Sequence, residues 1–423
     1  MYLAWFGLIV EIFFFSIISP LITNTELTAI FFIGINIFLV LITISKYPAF
    51  FRNMFYFAFF FRLIAMFWDV YATNIFRLPN SGGDSEGFFS SAVIIASNLQ
   101  YISDNIYGGL YAKVLGIIFA FTVPERLVGQ YINVLLGLTT VVLLYKTLKL
   151  LQIDPKIIKR SIAIIAFFPN AIIFSGIFLR EYMVTMFAMC SIYYFVTWYI
   201  GKNVKSILFS ILFLLIASTF HSGVIGIIMG YAFFYMFYNH QLRKFSFGYK
   251  TVGIFVFFLG MGIVVVSEFS NVFLAKFAAL DEIEDIYATG SKSRGSSAYL
   301  SGLEIKSLTD LVLFGPIKMF YFLTSPLPTD WRGLGDMVAF CIDGLLYFWI
   351  IWYSIINIKT IKKNYLAIGL VIMLLSTSFI FGIGTSNAGT AMRHRHKILP
   401  EIILLYAVVS SAKLGNIHNK FKY

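Results

Sequence analysis

The sequence predicts an all-α bundle that crosses a membrane many times and forms one integral domain over residues 1–423. Hydrophobic residues make up 59% of the chain and charged residues only 12%, too few to cover the surface of a soluble protein of this length. Apolar runs of about 17 to 25 residues recur, and in lipid such runs satisfy their backbone polar groups as helices. Short clusters of Lys and Arg separate the runs, as in polytopic membrane proteins.

The apolar runs predict about twelve transmembrane helices, with both termini on one side. The first run lacks a basic leader and a small-residue cleavage pattern, so we expect it to be a retained helix. The twelve lie near residues 3–22, 27–45, 54–73, 127–149, 161–179, 182–200, 206–221, 224–239, 251–270, 337–357, 365–384 and 396–412.

The loops on the side of the termini carry most of the basic residues. Asp154 is the one acid among them, and short loops rich in Lys and Arg stay in the cytoplasm. We therefore expect a plasma (inner) membrane protein with cytoplasmic termini and with its acids on the outer face. The basic residues are Lys46, Arg52, Lys146, Lys149, Lys156, Lys159, Arg160, Lys202, Lys205, Arg243, Lys244, Lys250, Lys359, Lys362, Lys363, Lys413, Lys420 and Lys422.

Two long segments, residues 74–126 and 271–336, fall on the predicted outer face. The first contains two apolar stretches, Phe88–Ala96 and Tyr111–Phe121, that are too short to cross and are expected to lie in the interface as amphipathic helices. The second contains an apolar piece at 308–324. If that piece crossed, the following lysine-rich loop would be forced outside, so we predict a re-entrant or surface-lying helix.

The glycine-rich stretch Asn80–Phe89 carries two acids, Asp84 and Glu86, between a very apolar segment and an amphipathic one. Glycine permits backbone conformations closed to other residues, so the turn can direct both carboxylates into a cleft. A positioned carboxylate can act as a general base. We predict Asp84 as the catalytic base, with Glu86 second; the alternative is that both acids solvate a turn.

The densest cationic group of the predicted outer face is Arg393–Lys397, in which Arg393, Arg395 and Lys397 alternate with His394 and His396. Cations kept there oppose the positive-inside tendency, so we predict that they bind an anionic phosphate. The alternative is an anchor on lipid head groups.

Further polar residues are expected to support such a site. Arg180 and Arg332 are additional candidates for phosphate binding, although Arg180 with Glu181 also fits a structural salt bridge. His221 fits a helix cap as well as a functional role. Arg62 and Asp69 lie seven residues apart on one helix face, where they are either a buried structural ion pair, with Glu11 within reach of Arg62, or part of the site.

Four stretches resemble the GT-C class of membrane glycosyltransferases, which includes protein O-mannosyltransferases and aminoarabinose transferases. They are the acidic loop Gly83–Glu86, the following helix Arg126–Tyr145, the pair of helices that meets in Phe167–Glu181, and the basic step Met392–Pro400. The resemblance implies transfer of a sugar from a polyisoprenoid (undecaprenyl) phosphate or pyrophosphate donor to a glycan or lipid-linked acceptor, in the assembly of cell-surface polysaccharide.

Partners and cofactors follow from the same reading. Membrane lipids surround the chain, and nucleic acid is not expected because the basic residues form no single tract. We expect no metal, since cations of the protein already neutralise phosphate; a divalent cation held by Asp84 and Glu86 is the alternative. Cys190 and Cys341 lie in apolar runs and predict no disulfide.

Two other functions remain open. A repeat-unit polymerase or ligase for O-antigen, capsule or exopolysaccharide would rely on loop arginines such as Arg294 and Arg332. A flippase or transporter of lipid-linked oligosaccharides would need a polar cavity reaching both faces, yet the predicted cytoplasmic half-helices offer almost no acids.

Overall fold

A computed structural model describes residues 1–249, 251–253, 256, 297–300, 303 and 308–414. Within these residues the regular structure is helical except for one two-stranded hairpin, which confirms the predicted all-α class. The chain forms two compact units. The N-terminal unit contains Met1–Tyr145 and Ile162–Met186, and the C-terminal unit contains Lys146–Ser161 and Phe187–Tyr423.

The chain begins with three apolar helices, which expose many large side chains such as Phe13, Phe31 and Phe60, as expected of a surface that faces lipid. Asn24 caps the second of them by accepting a hydrogen bond from the backbone N–H of Leu27. The first eight helices are α1 (Tyr2–Ile18), α2 (Thr25–Ser45), α3 (Ala49–Tyr71), α4 (Asp84–Ser97), α5 (Gly109–Phe121), α6 (Arg126–Leu150), α7 (Pro155–Phe167) and α8 (Pro169–Gly176).

Helices α4 and α5 form a tight pair, because Gly116 lets the two backbones approach. A Cβ atom on Gly116 would lie 2.6 Å from the Cβ of Ile95 and 2.9 Å from the carbonyl oxygen of Ala92. The two short helices predicted between residues 74 and 126 are therefore present, and their position at a membrane interface stays a prediction.

The C-terminal unit continues the helical pattern, and its hairpin pairs β1 with β2 in antiparallel register. The predicted helix at 308–324 is present as α12, and its re-entrant course stays a prediction. The elements are α9 (Glu181–Gly201), α10 (Val204–Phe220), α11 (Ile227–Phe237), β1 (Tyr238–Asn239), β2 (Lys244–Phe245), α12 (Leu308–Thr324), α13 (Leu334–Ala339), α14 (Leu345–Ile356), α15 (Ile358–Lys362), α16 (Tyr365–Ile383), α17 (Ala388–His396) and α18 (Leu399–Lys413).

Six helices of the described chain are long and apolar enough to cross a membrane, or seven if the bent pair α7 and α8 counts as one. A multi-pass membrane protein is the class that such helices indicate, but the predicted count of twelve is not confirmed. Helices α1 and α10 have 17 residues each, and the helix predicted at 396–412 is present as α18, which has 15 residues. The predicted helix at 251–270 lies almost wholly outside the described residues.

Arg62 of α3 supplies hydrogen bonds to backbone carbonyls at the 48° bend between α7 and α8. Pro169 has no N–H to offer the carbonyl of Ile165 four residues earlier. The Arg62 guanidinium donates to that carbonyl at 3.2 Å and to the carbonyl of Ala166 at 3.0 Å. Glu11 instead accepts from Asn36 at 3.1 Å, so the expected contact between Glu11 and Arg62 is not made, and Arg62 supports the fold.

Candidate functional site

The glycine-rich turn adopts the backbone that its composition predicts. Asn80, Gly82 and Gly83 have φ angles of +65°, +87° and +50°, a region that glycine enters readily and most other residues avoid. Helix α4 begins directly after the turn, so Asp84 and Glu86 both lie in its first turn. Unsatisfied N–H groups and the helix dipole favour carboxylates at this position.

Asp84 is half-buried, and its Oδ1 accepts a hydrogen bond from the hydroxyl of Tyr107. The tyrosine ring passes over Gly87, where a Cβ atom would lie 2.5 Å from the ring carbon Cε1. Gly87 therefore makes room for the residue that orients Asp84. The hydrogen bond from the Tyr107 phenol thus orients the Asp84 carboxylate.

Glu86 has a different environment, because both of its oxygens accept from Nη1 of Arg126 at 2.8 Å. Nη2 of the same guanidinium donates to Ser85 Oγ at 2.7 Å and lies 3.5 Å from Oδ2 of Asp69. Asp69 in turn accepts from Nε2 of Gln130 at 2.5 Å. The predicted supporting residue Asp69 thus joins Glu86 in one network around Arg126.

Arg180 and Glu181 also belong to the N-terminal unit. Asn133 donates to the carbonyls of Ile177 and Leu179, both at 2.8 Å, and so fixes the backbone just before them. The Arg180 guanidinium lies 5.7 Å from the centroid of the Phe88 ring, one turn of α4 beyond Asp84. Its Nε has no hydrogen-bond partner among the described residues. We call the group of Asp69, Asp84, Glu86, Arg126, Arg180 and Glu181 the Asp84 cluster.

Tyr111 of α5 connects Asn133 to this cluster, since its hydroxyl accepts from Nδ2 of Asn133 at 3.0 Å. Burial raises the pKa of the Tyr111 phenol above its ordinary value. The hydrogen bond from Asn133 opposes this rise in part, and the weaker effects of the Glu181 and Arg126 charges raise and lower the pKa respectively. The hydroxyl therefore keeps its proton near neutral pH and serves as a neutral polar group.

In the C-terminal unit Arg395 is fully buried and forms an ion pair with Asp343 through Nε and Nη2. Its Nη1 donates to the carbonyl of Ser325 at 2.5 Å, and its guanidinium lies 5.3 Å from the centroid of the Tyr347 ring. A guanidinium held in this way connects α17 to the segments that precede α13 and α14. The expectation that Arg395 binds phosphate is therefore revised in favour of a structural role.

His221 and His394 form a pair in which the two Nε2 atoms lie 3.2 Å apart. His221 Nδ1 accepts from the backbone N–H of Gly223 at 3.3 Å, as in the helix-cap interpretation. In neutral His221 the proton then resides on Nε2 and is directed at His394. His394 Nδ1 lies 3.4 Å from Oγ1 of Thr385. The pair can therefore pass a proton between two rings.

The basic stretch Arg393–Lys397 is divided by burial. Arg393 and His394 are half-buried, whereas Arg395, His396 and Lys397 are buried. The Lys397 ammonium lies 5.8 Å from the centroid of the Phe381 ring. Three buried members of five do not form a surface for lipid head groups, which argues against the anchor interpretation.

Arg332 remains available to solvent, with 42% of its side chain exposed and Asp336 as its ion-pair partner at 3.4 Å. Beside it the Trp331 indole donates to the carbonyl of Pro326 at 3.2 Å. Burial raises the pKa of Asp330, an effect that Arg332 partly offsets and Asp336 reinforces. The second loop arginine, Arg294, lies outside the described residues.

Sequence reasoning missed several residues that organise these sites, chiefly Tyr107, Arg126, Gln130 and Asp343. Arg126 had a detectable signal, since it is the cation that opens an apolar helix. Tyr107 and Asp343 gave none, because only the fold brings them to Asp84 and Arg395. Within the part of the chain that the structure describes, no group of three or more His, Cys, Asp and Glu side chains is placed to hold a metal ion.

Comparison of the chain with protein-family models, curated proteins and solved structures gave no match.

Proposed function

We propose that the chain is a membrane glycosyltransferase that moves a sugar from a polyisoprenoid phosphate or pyrophosphate donor to a glycan or lipid-linked acceptor at the outer face of the plasma membrane. The observation that carries the proposal is that two neighbouring carboxylates have different hydrogen-bond partners. Glu86 is held by the guanidinium of Arg126, whereas Asp84 accepts from a neutral phenol. Glu86 is thereby fixed in the first turn of α4, and Asp84 is the carboxylate that we assign as the base.

In this mechanism Asp84 accepts the proton of the attacking acceptor hydroxyl. General base catalysis of this kind typically contributes about 10²- to 10⁴-fold to a rate, provided that the base lies within hydrogen-bond reach of the proton. Tyr107 fixes the orientation of the carboxylate, and Gly87 makes room for Tyr107. Arg126 holds Ser85 and Glu86 and so fixes the first turn of α4 beside it.

The departing phosphate needs cations, and a guanidinium matches its geometry. Arg180 is the proposed ligand in the N-terminal unit, because its Nε has no hydrogen-bond partner among the described residues and its plane is supported by Phe88. Arg393 and His394, the half-buried members of the basic stretch, are separate candidate phosphate ligands within the C-terminal unit. Lys397, His396 and Arg395 support them from the interior.

The test is Asp84→Asn, which keeps the shape of the side chain and removes its basicity. We expect cells whose only copy is this variant to lose the dependent surface glycan and to accumulate a polyprenyl-linked sugar, detected by mass spectrometry of extracted lipids. Asp104→Asn is the matched control, an exposed acid of the same segment, and should behave as wild type. Normal glycan with Asp84→Asn would refute the role of the base.

A repeat-unit polymerase is the second candidate, and the exposed guanidinium of Arg332 favours it. An enzyme of that kind should lose polymer with Arg332→Ala and keep it with Asp84→Asn. The proposed transferase should show the opposite order. Chain-length analysis of the surface polysaccharide in both variants distinguishes the two, because a polymerase defect leaves single repeat units on the acceptor.

A further inference from the structure

The C-terminal unit contains a cavity of about 380 Å³ that the proposed function does not use. It lies between the end of α9, the β1–β2 hairpin and the start of α16. Its cations are Lys202, Arg243 and Lys363, and its lining residues include no Asp or Glu. We call this cavity the basic pocket.

The basic pocket is well separated from the histidine pair of the same unit. Helix α10 begins beside Lys202 and ends at His221, and α16 begins at the pocket and ends near Thr385, which contacts His394. These helices have 17 and 19 residues, or roughly 25 to 28 Å at 1.5 Å per residue. The pocket is therefore a separate site at the opposite ends of these helices.

Two of the three cations are held in a backbone conformation that disfavours them. Lys202 has a φ angle of +57° and Arg243 of +49°, where a residue with a side chain is uncommon and costs about 1 kcal/mol or more. Lys202 follows the last residue of α9, a position that glycine normally occupies. A lysine at this position lowers the stability of the protein. Its presence would be explained if its charge binds a ligand.

The floor of the pocket also suits an anion. Asn364 caps α16 by accepting from the backbone N–H of Ala367 at 3.0 Å, and Tyr365 and Leu366 of the first turn line the cavity. N–H groups of a first turn have no acceptor within the helix, and the helix dipole favours negative charge there. His240 adds a buried Nε2 that has no hydrogen-bond partner among the described residues.

We propose that the basic pocket binds the phosphate group of an anionic ligand. Guanidinium, ammonium and helix N–H groups are the donors that phosphate prefers. Helices α9 and α16 are long and apolar enough to span a membrane, and the ends of such helices lie at the depth of lipid head groups. The two sources of the phosphate are an anionic phospholipid and a free phosphate from solution.

The experiment uses the purified full-length chain in nanodiscs of phosphatidylcholine. One arm adds phosphatidylglycerol and counts bound lipid by native mass spectrometry, and the other adds inorganic phosphate and measures the thermal midpoint. Retained phosphatidylglycerol supports a lipid source, and stabilisation by phosphate alone supports a free one. If neither phosphatidylglycerol nor inorganic phosphate binds, the proposal is overturned.

Variants assign the binding to this pocket. Each lost charge-assisted contact should weaken binding roughly tenfold, so Arg243→Ala and Lys363→Ala are expected to release the ligand. Lys362→Ala is the matched control, because Lys362 is the exposed neighbour that does not line the cavity. If Lys362→Ala and Lys363→Ala weakened ligand binding equally, the assignment of binding to the basic pocket would be overturned.

Lys202→Gly separates binding from a structural role. Glycine relieves the strained φ angle, so the thermal midpoint should rise, while loss of the ammonium should weaken binding roughly tenfold. A merely structural lysine would show the rise in stability with unchanged affinity, and that result would also overturn the proposal.

Discussion

The Asp84 cluster and the basic stretch of α17 are both rich in charge, but their charges differ in what they can do. In the Asp84 cluster Arg126 forms ion pairs with Glu86 and Asp69, whereas Asp84 accepts a hydrogen bond from the phenol of Tyr107. In the basic stretch Asp343 takes Arg395, the most deeply buried cation. The density of charged residues along a sequence therefore does not show which of them could react. That depends on the hydrogen-bond and ion-pair partners that the fold places beside each one.

The largest effect should come from Arg395, which tests the comparison directly. Removing one partner of a buried ion pair leaves the other charge uncompensated and typically costs about 3 to 5 kcal/mol. We expect Arg395→Ala to lower the free energy of unfolding by this order, measured by denaturation in detergent micelles. Arg393→Ala, at a half-buried position two residues earlier, should leave stability nearly unchanged and reduce glycan transfer.

A double variant strengthens that test. Replacing Arg395 by Met and Asp343 by Leu removes both charges, so it should recover much of the stability that Arg395→Ala loses. If Arg393→Ala and Arg395→Ala destabilised the protein equally, the distinction between the half-buried Arg393 and the fully buried Arg395 would be wrong.

A smaller effect is expected in the N-terminal unit, at Gly87. A methyl group there would meet the ring of Tyr107 and push it away from Asp84, so Gly87→Ala should reduce transfer by about tenfold, as expected for loss of one orienting hydrogen bond. Tyr107→Phe should give the same loss in an assay of polyprenyl-linked donor consumption. Gly34→Ala is the control, because nothing lies within 4 Å of a Cβ atom at Gly34 of α2; it should keep full activity.

The sequence predicted the parts of the molecule that depend on local chemistry. The all-α class followed from apolar length, and the strained turn before Asp84 followed from its glycines. Asp69 was singled out because a charge within an apolar helix needs a partner, Glu86 because it lies in the glycine-rich stretch, and Arg180 as a cation that could bind phosphate. Two helices at the positions of α4 and α5 were also expected.

What the sequence could not provide are the pairings between distant residues. The short helices α1, α10 and α18 and the bend at Pro169 lowered the count of spanning helices, since apolar length alone does not reveal where a helix ends or bends. The expected contact between Arg62 and Glu11 is not made, because Arg62 binds the carbonyls of Ile165 and Ala166, which the sequence does not mark as its partners. Asp343 stands 52 positions from Arg395, with no pattern that connects them.

The smallest effect concerns the basic pocket. No Asp or Glu lines this pocket, so its three cations should be able to bind an anionic ligand. Burial, helped by the charge of Lys202, lowers the pKa of His240 below its ordinary value, so the free protein holds this imidazole neutral near pH 7. A bound phosphodiester favours the imidazolium and raises that pKa. Protons are then taken up on binding, and affinity should increase as the pH falls through the pKa of the bound state.

Phosphatidylglycerol is the right probe for this test, because its phosphodiester stays monoanionic between pH 5.5 and 8, so only the protein titrates. The other titratable groups that line the pocket with His240 are Tyr199, Lys202, Tyr238, Arg243, Lys363 and Tyr365. A rise of half to one pKa unit corresponds to at most roughly three- to tenfold tighter binding on lowering the pH from 8 to 5.5. His240→Gln should bind with the same affinity at both pH values, and an unchanged pH dependence in that variant would exclude His240 as the titrating group.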